Sequence, residues 1–210
     1  MKKIIKDACI LFAITLIAGI LLGIVYDVTK TPIANQNEKA KQEAYKAVVT
    51  GADKFESFGG KYAEDKVAET TKALLDASSA DYSKDEITEV VVGKSGSTVV
   101  GYVITVVAHD GYGGDIKFSV GISKDGEYLG TSILSINETA GLGMRAKQDP
   151  SFLNQFNGVN VDEYKVVTDG TGTSSDEAID AIGGSTVTSK SITKGINAAL
   201  VIYADIAKSE

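Results

Sequence analysis

From Ala8 to Tyr26 the chain is almost wholly apolar, with Thr15 its only clearly polar side chain. That length is close to the ~20 residues a helix needs to cross a bilayer, so the pattern predicts a transmembrane helix, with Tyr26 as an interfacial anchor. Thr31-Pro32 then resembles an N-cap followed by proline at the first helical position. Residues 33–49, rich in Ala, Lys, Glu and Gln, predict a new helix with a thin apolar stripe of Ile33, Ala40, Ala44, Ala47 and Val48. Residues 51–86 alternate polar stretches with Gly59-Gly60 and the apolar island Val67 to Leu75, which predicts a second helix between loops.

The period then changes from helical to extended. Ile87 to Val92 and Val99 to Ala108, joined by Lys94-Ser95-Gly96-Ser97, read as a hairpin rich in β-branched residues. Ile116 to Ile122 alternates apolar and polar positions, and the Asp125-Gly126 turn leads into a further strand from Tyr128 to Ile136. Four strands joined by short turns imply an antiparallel sheet. Residues 149–156 read as a short helix. From Thr188 to Ala207, Ile192, Ile196, Ala199, Leu200 and Tyr203 recur at helical spacing, giving an amphipathic helix to cover one sheet face. The fold class is therefore α+β, an antiparallel sheet packed with helices behind one N-terminal membrane helix. Residues 1–30 form a tip and anchor, and residues 31–210 a single domain.

Composition narrows the chemistry. With 210 residues, 43% of them apolar, the chain suffices for one domain plus an appendage. A net charge of −7, with basic residues clustered only at the N-terminus, argues against nucleic acid as a partner. Cys9 and His109 are each the only residue of their kind, which gives low standing to disulfides, metal sites and a Ser-His triad. Lys2, Lys3 and Lys6, with the amino terminus, precede the apolar run against one acid, Asp7. The positive-inside bias places this end in the cytoplasm and the rest of the chain outside the membrane. A cleaved signal peptide is the rival reading. No small-x-small site follows the run closely, and Cys9 precedes most of it, so a retained anchor is favoured.

Asp180 to Ser189 carries the densest candidate chemistry. A Gly183-Gly184 turn leads into the hydroxyls Ser185, Thr186, Thr188 and Ser189 and then into the amphipathic helix. Thr188 or Ser189 is the expected cap, and the free N–H groups and dipole of the first turn suit a phosphate placed just before them.

The stretch also resembles the flavinylation motif, Asp-x-x-Ser/Thr-Gly-Ala-Thr followed by x-Thr/Ser. That motif belongs to the FMN-binding domain found in the G-type subunit of Rnf-type electron-transport complexes and in the C-type subunit of the related sodium-pumping quinone reductase. Asp180 matches the motif aspartate, Gly184 the glycine and Thr186 the acceptor, whereas Gly183 stands where Ser or Thr is usual and Ser185 where Ala is usual. Asn137 to Gly143 is similar to the family's glycine-leucine-glycine loop, keeping Glu138, Thr139, Gly141, Leu142 and Gly143 with Ala140 in place of proline. Gly111-Tyr112-Gly113-Gly114, Gly101-Tyr102 and the Thr29 to Ile33 stretch also fit.

The resemblance implies FMN joined through its phosphate to Thr186 by a flavin transferase, with the two glycine loops and Thr188 and Ser189 around it. It implies an electron-transfer subunit working with other membrane subunits of a complex that couples ferredoxin:NAD oxidoreduction to Na+ or H+ transport. By itself such a protein would carry electrons without turnover. Glu138 would fix its loop rather than move protons.

Two other classes compete. Ser191-x-x-Lys194, Ser135-x-Asn137 and Lys94-Ser95-Gly96 match short motifs of penicillin-interacting serine enzymes, but in reversed order. Lys194 reads more simply as a solvated helix residue and His109 as an exposed turn residue. A non-catalytic extracytoplasmic sensor or assembly module would need the glycine loops only as turns.

Overall fold

The computed structural model describes residues 2–209; the charged amino terminus counted above lies outside them. Its first element, α1 (Lys2–Val48), is one unbroken helix with Pro32 inside it. The expected new start at Thr31-Pro32 is therefore absent. Proline holds a φ that a helix accepts, and α1 continues through it although the ring removes one N–H donor. Thr15 and Thr29 return their hydroxyls to carbonyls one turn back, at Leu11 and Val25, so neither adds an unsatisfied polar group to the helix surface. The apolar part is long enough to cross a bilayer, and its side chains are exposed. Contacts divide the chain between Lys41 and Gln42, so the last residues of α1 belong to the second unit.

In that unit, β1 (Lys54–Ser57), β2 (Asp85–Ser95), β3 (Thr98–Ala108), β4 (Ile116–Ser123) and β5 (Tyr128–Ser135) form an antiparallel meander in chain order. Four of these strands match the sequence reading; β1 is additional, an edge strand paired to β2. One sheet face buries Tyr102, Ile104, Val106, Phe118, Val120 and Ile122 beneath α5 (Thr186–Ala207), whose Ile192, Ile196, Ala199 and Ile202 are fully or almost fully buried. Each such side chain contributes about 1.5–3 kcal/mol by leaving water, so this layer is the main source of stability. The helix α2 (Val67–Asp76) adds Val67 and Leu75 to the same core. The opposite face carries a smaller cluster, in which Tyr45, Val48 and Val49 cover Val91 and Val103.

After β5 the chain makes two single-turn helices, α3 (Arg145–Gln148) and α4 (Ser151–Asn154). A parallel pair of three-residue strands follows, β6 (Lys165–Val167) and β7 (Ala178–Asp180). The sequence pattern does not predict this pair. It matters because β7 ends at Asp180 and delivers the chain to the start of α5.

Candidate functional site

Between β7 and α5 the backbone turns through Ile182-Gly183-Gly184-Ser185. Ser185 N–H donates to the Ile182 carbonyl at 2.8 Å, and Gly184 takes φ +76°, a conformation that excludes most side chains. Ser189 locks the turn from inside the helix. Its hydroxyl accepts from Ile182 N–H at 2.9 Å and donates to the Ser185 carbonyl at 3.0 Å. The expected cap at Thr188 or Ser189 is therefore corrected: α5 begins at Thr186, the cap position is Ser185, and Ser189 is a buried clamp one turn in. No acidic residue lies in the first turn itself, which suits an anion at the positive end of the helix, while the carboxylate of Glu138 faces the same space from the neighbouring loop.

Two other segments close on this turn. The loop after β5 folds over Thr139, whose carbonyl accepts from Leu142 N–H at 3.1 Å and Met144 N–H at 3.2 Å, with Gly141 at φ +76°. A Cβ on Gly143 would stand 2.7 Å from Thr188 Oγ1 and 2.8 Å from Glu138 Oε2, so only glycine fits between the loop and the helix. The β3–β4 turn joins them: Gly113 lies so close to the Asn137 carbonyl that any side chain there would overlap it.

The three segments enclose a cleft of about 530 Å³. Tyr112 lines it from the turn, Glu138, Thr139, Leu142 and Gly143 from the loop, and Gly184 to Thr188 from the helix start. Tyr112, Leu142 and Val187 are exposed, giving it an apolar rim. Glu138 and Ser185 are buried, and neither Glu138 Oε1 nor Ser185 Oγ has a hydrogen-bond partner among the described residues. Val187 is a site residue that the sequence reading does not name, and Tyr112 enters it only as part of a family motif, without a place in the site. A tyrosine between glycines is the available signal for Tyr112.

Other sequence-named residues lie outside the lining. Gly141 shapes the loop, and Ser189 sits beneath the turn. Asp180 and Gly183 face a separate cleft of about 330 Å³ with Arg145 and Gln155. There Asp180 Oδ1 accepts from Gly172 N–H at 3.0 Å, while its own N–H and carbonyl pair with the Gln155 side chain at 2.7 and 3.1 Å.

Lys194 is not a solvated residue. Its Nζ lies 3.6 Å from the buried Asp85 and 3.7 Å from Asp110. Lys94 pairs with Glu56 at 2.8 Å, so both lysines of the serine-enzyme motifs are engaged by carboxylates, and Ser191 is buried. His109 is exposed but engaged: Asp115 at 2.9 Å, aided by Glu86, raises its pKa.

Fold and site together define a domain with a glycine-walled cleft at the start of α5, in a chain that also carries a helix long enough to span a membrane. Comparison with known proteins makes this particular. The FMN-binding domain model matches residues 111–201, and the RnfG N-terminal region model matches residues 1–48. The chain is 34% identical over 207 residues to the G-type subunit of the Na(+)-translocating ferredoxin:NAD(+) oxidoreductase complex of Acetobacterium woodii, covering 99% of this chain and 95% of that one. It is 32% identical over 202 residues to the G-type subunit of the proton-translocating ferredoxin:NAD(+) oxidoreductase complex of Clostridium ljungdahlii, covering 93% and 92%. The crystal structure of Shewanella oneidensis NqrC shares the fold with a TM-score of 0.50 and 18% identity, over 58% of this chain and 61% of that one. The chain belongs to the RnfG family of Rnf-complex subunits.

Proposed function

We propose that this protein is an electron-transfer subunit of a membrane complex, carrying FMN attached covalently through Thr186. The observation that supports this most directly is the cleft at the start of α5, with half-buried Thr186 in its wall on a helix N-terminus that has no side-chain cap. The residues present fit the group. The volume lies in the range of cofactor sites, roughly 300–1,000 Å³. Two buried polar atoms lack protein partners, and Gly143 and Gly184 line the cleft with bare backbone. When bound, FMN would supply reversible one-electron chemistry.

Thr186 would hold the phosphate as a diester. Its Oγ1–P bond forms as the hydroxyl proton leaves and a P–O anhydride bond breaks in an activated flavin nucleotide, supplied with the flavin transferase. The tether removes a negative charge and prevents loss of the cofactor. The N–H groups of Thr186, Val187 and Thr188 stabilise the remaining charge. Glu138 offers its free oxygen as an acceptor to the ligand while its other oxygen rests against Gly143. Thr139 and Gly141 shape the loop, and Leu142, Tyr112 and Val187 keep water from the apolar part of the ligand. Asp180, Gly183 and Ser189 act on the turn that presents Thr186.

The partners are the other subunits of the complex, as the names of the two relatives suggest; one of those relatives is described as moving Na+ and the other protons. With Lys2, Lys3 and Lys6 on the cytoplasmic side, residues 31–210 would face the exterior as the FMN-binding domain. Mass spectrometry of protein made with and without the transferase tests the assignment. An adduct of FMN minus water should appear on the peptide holding Thr186 and vanish in Thr186→Ala; an unmodified Thr186 with the transferase present rejects it.

A further inference from the structure

Ser185 occupies the cap position of α5 without capping it. Serine at this position usually accepts from a first-turn N–H, yet Ser185 makes no side-chain cap bond. Its backbone is fully used: the N–H binds Ile182, and the carbonyl receives both Ser189 N–H and Ser189 Oγ, each at 3.0 Å. The hydroxyl, by contrast, is buried without a partner, on a residue that is 7% exposed and lines the flavin cleft. A buried hydroxyl left unsatisfied is costly, and a turn about χ1 can bring it to the cleft side without loss of any bond.

The same burial separates Ser185 from its neighbour. Two adjacent hydroxyls precede the helix, but Thr186 is half-buried and Ser185 is enclosed, so a modifying enzyme reaches the threonine. Ser185 makes no cap bond to the first-turn N–H groups, so they and the serine hydroxyl stand at the same uncapped end of α5.

We infer that Ser185 is a positioning residue for the tethered phosphate: its Oγ–H donates to a non-bridging phosphoryl oxygen of the diester on Thr186. This rests on the flavin assignment above. The role needs a hydroxyl, not bulk, and it exists only in the flavin-bearing protein.

The test compares full-length wild type, Ser185→Ala and Ser185→Thr in detergent. Each is prepared with the transferase at matched flavin content and, separately, without it. In the unmodified protein, Ser185→Ala should leave the thermal midpoint equal or higher, since it removes an unsatisfied group. In the flavin-bearing protein it should lower the midpoint by roughly 2–4 °C and move the 31P resonance of the diester, whereas Ser185→Thr keeps the wild-type values. The same change in both forms, or an unmoved 31P resonance, overturns the proposal while the adduct on Thr186 stands. An adduct on Ser185, or loss of modification in Ser185→Ala alone, overturns it too. Absence of any adduct on wild-type Thr186 removes it together with the flavin assignment.

Discussion

Asp85 is an acidic residue buried at the foot of β2. Its side chain is fully buried, its oxygens have no hydrogen-bond partner among the described residues, and its nearest cation, Lys194, is 3.6 Å away and shared with Asp110. Burial pushes its carboxyl up to about 7; Lys194 and, more weakly, His109 oppose this, while Asp110 adds to it. A raised pKa means that the folded chain binds this proton more tightly than the unfolded chain does. The stabilisation is therefore complete below the ordinary carboxylate pKa of 3.8 and is lost as pH rises towards about 7. Asp85→Asn, which cannot ionise, should flatten the fall in stability between pH 4.5 and 7. Urea midpoints at pH 4.5, 6 and 8 measure this, and an unchanged slope would show that Asp85 does not hold the proton. No signal in the sequence marks Asp85, because its burial comes from α5 crossing β2 far along the chain.

At the scale of elements, α5 determines both the core and the site. Its glycine, Gly195, sits where a Cβ would stand 2.7 Å from Phe118 Cζ and 3.1 Å from Val106 Cγ1, both on fully buried residues. Alanine gains about 1 kcal/mol of helix propensity, but forcing a methyl group into packed rings costs about 1–3 kcal/mol, so packing decides. Gly195→Ala should lower the thermal midpoint, whereas a rise would show that the sheet yields. The apolar period of α5 and the alternation in β2 to β5 make these elements legible in the sequence. The edge strand β1 is not, since Lys54-Phe55-Glu56-Ser57 holds one apolar residue and pairs through its backbone. Nor are β6 and β7, too short at three residues each to show a period. The two glycine loops and the hydroxyl run of the site are readable as motifs. Tyr112 becomes part of it only through the Gly113 contact with Asn137, a long-range approach that local pattern does not encode.

For the whole molecule, the question is where the folded domain begins. Proline and composition suggest Thr31, yet the packed residues start later: Ala44, Tyr45, Val48 and Val49 are buried, and Tyr45 also donates to Glu89 at 2.7 Å. On the sheet, Gly121 leaves room for the Val48 carbonyl, which a side chain would displace. The end of α1 is thus one layer of the domain as well as the continuation of the membrane helix. A chain starting at Thr31 lacks the apolar run but keeps this layer, and it should be soluble, monomeric and cooperatively folded. A chain starting at Gly51 loses Tyr45, Val48 and Val49 and uncovers Val91 and Val103. At about 1.5–3 kcal/mol for each large apolar side chain removed, the loss is on the order of 5 kcal/mol, comparable with the whole stability of a typical domain. Gel filtration and urea unfolding of the two truncations should show the shorter one aggregated or largely unfolded. Equal stability would mean that the end of α1 only tethers the domain, whereas the expected loss would make it a structural link between the membrane helix and the sheet.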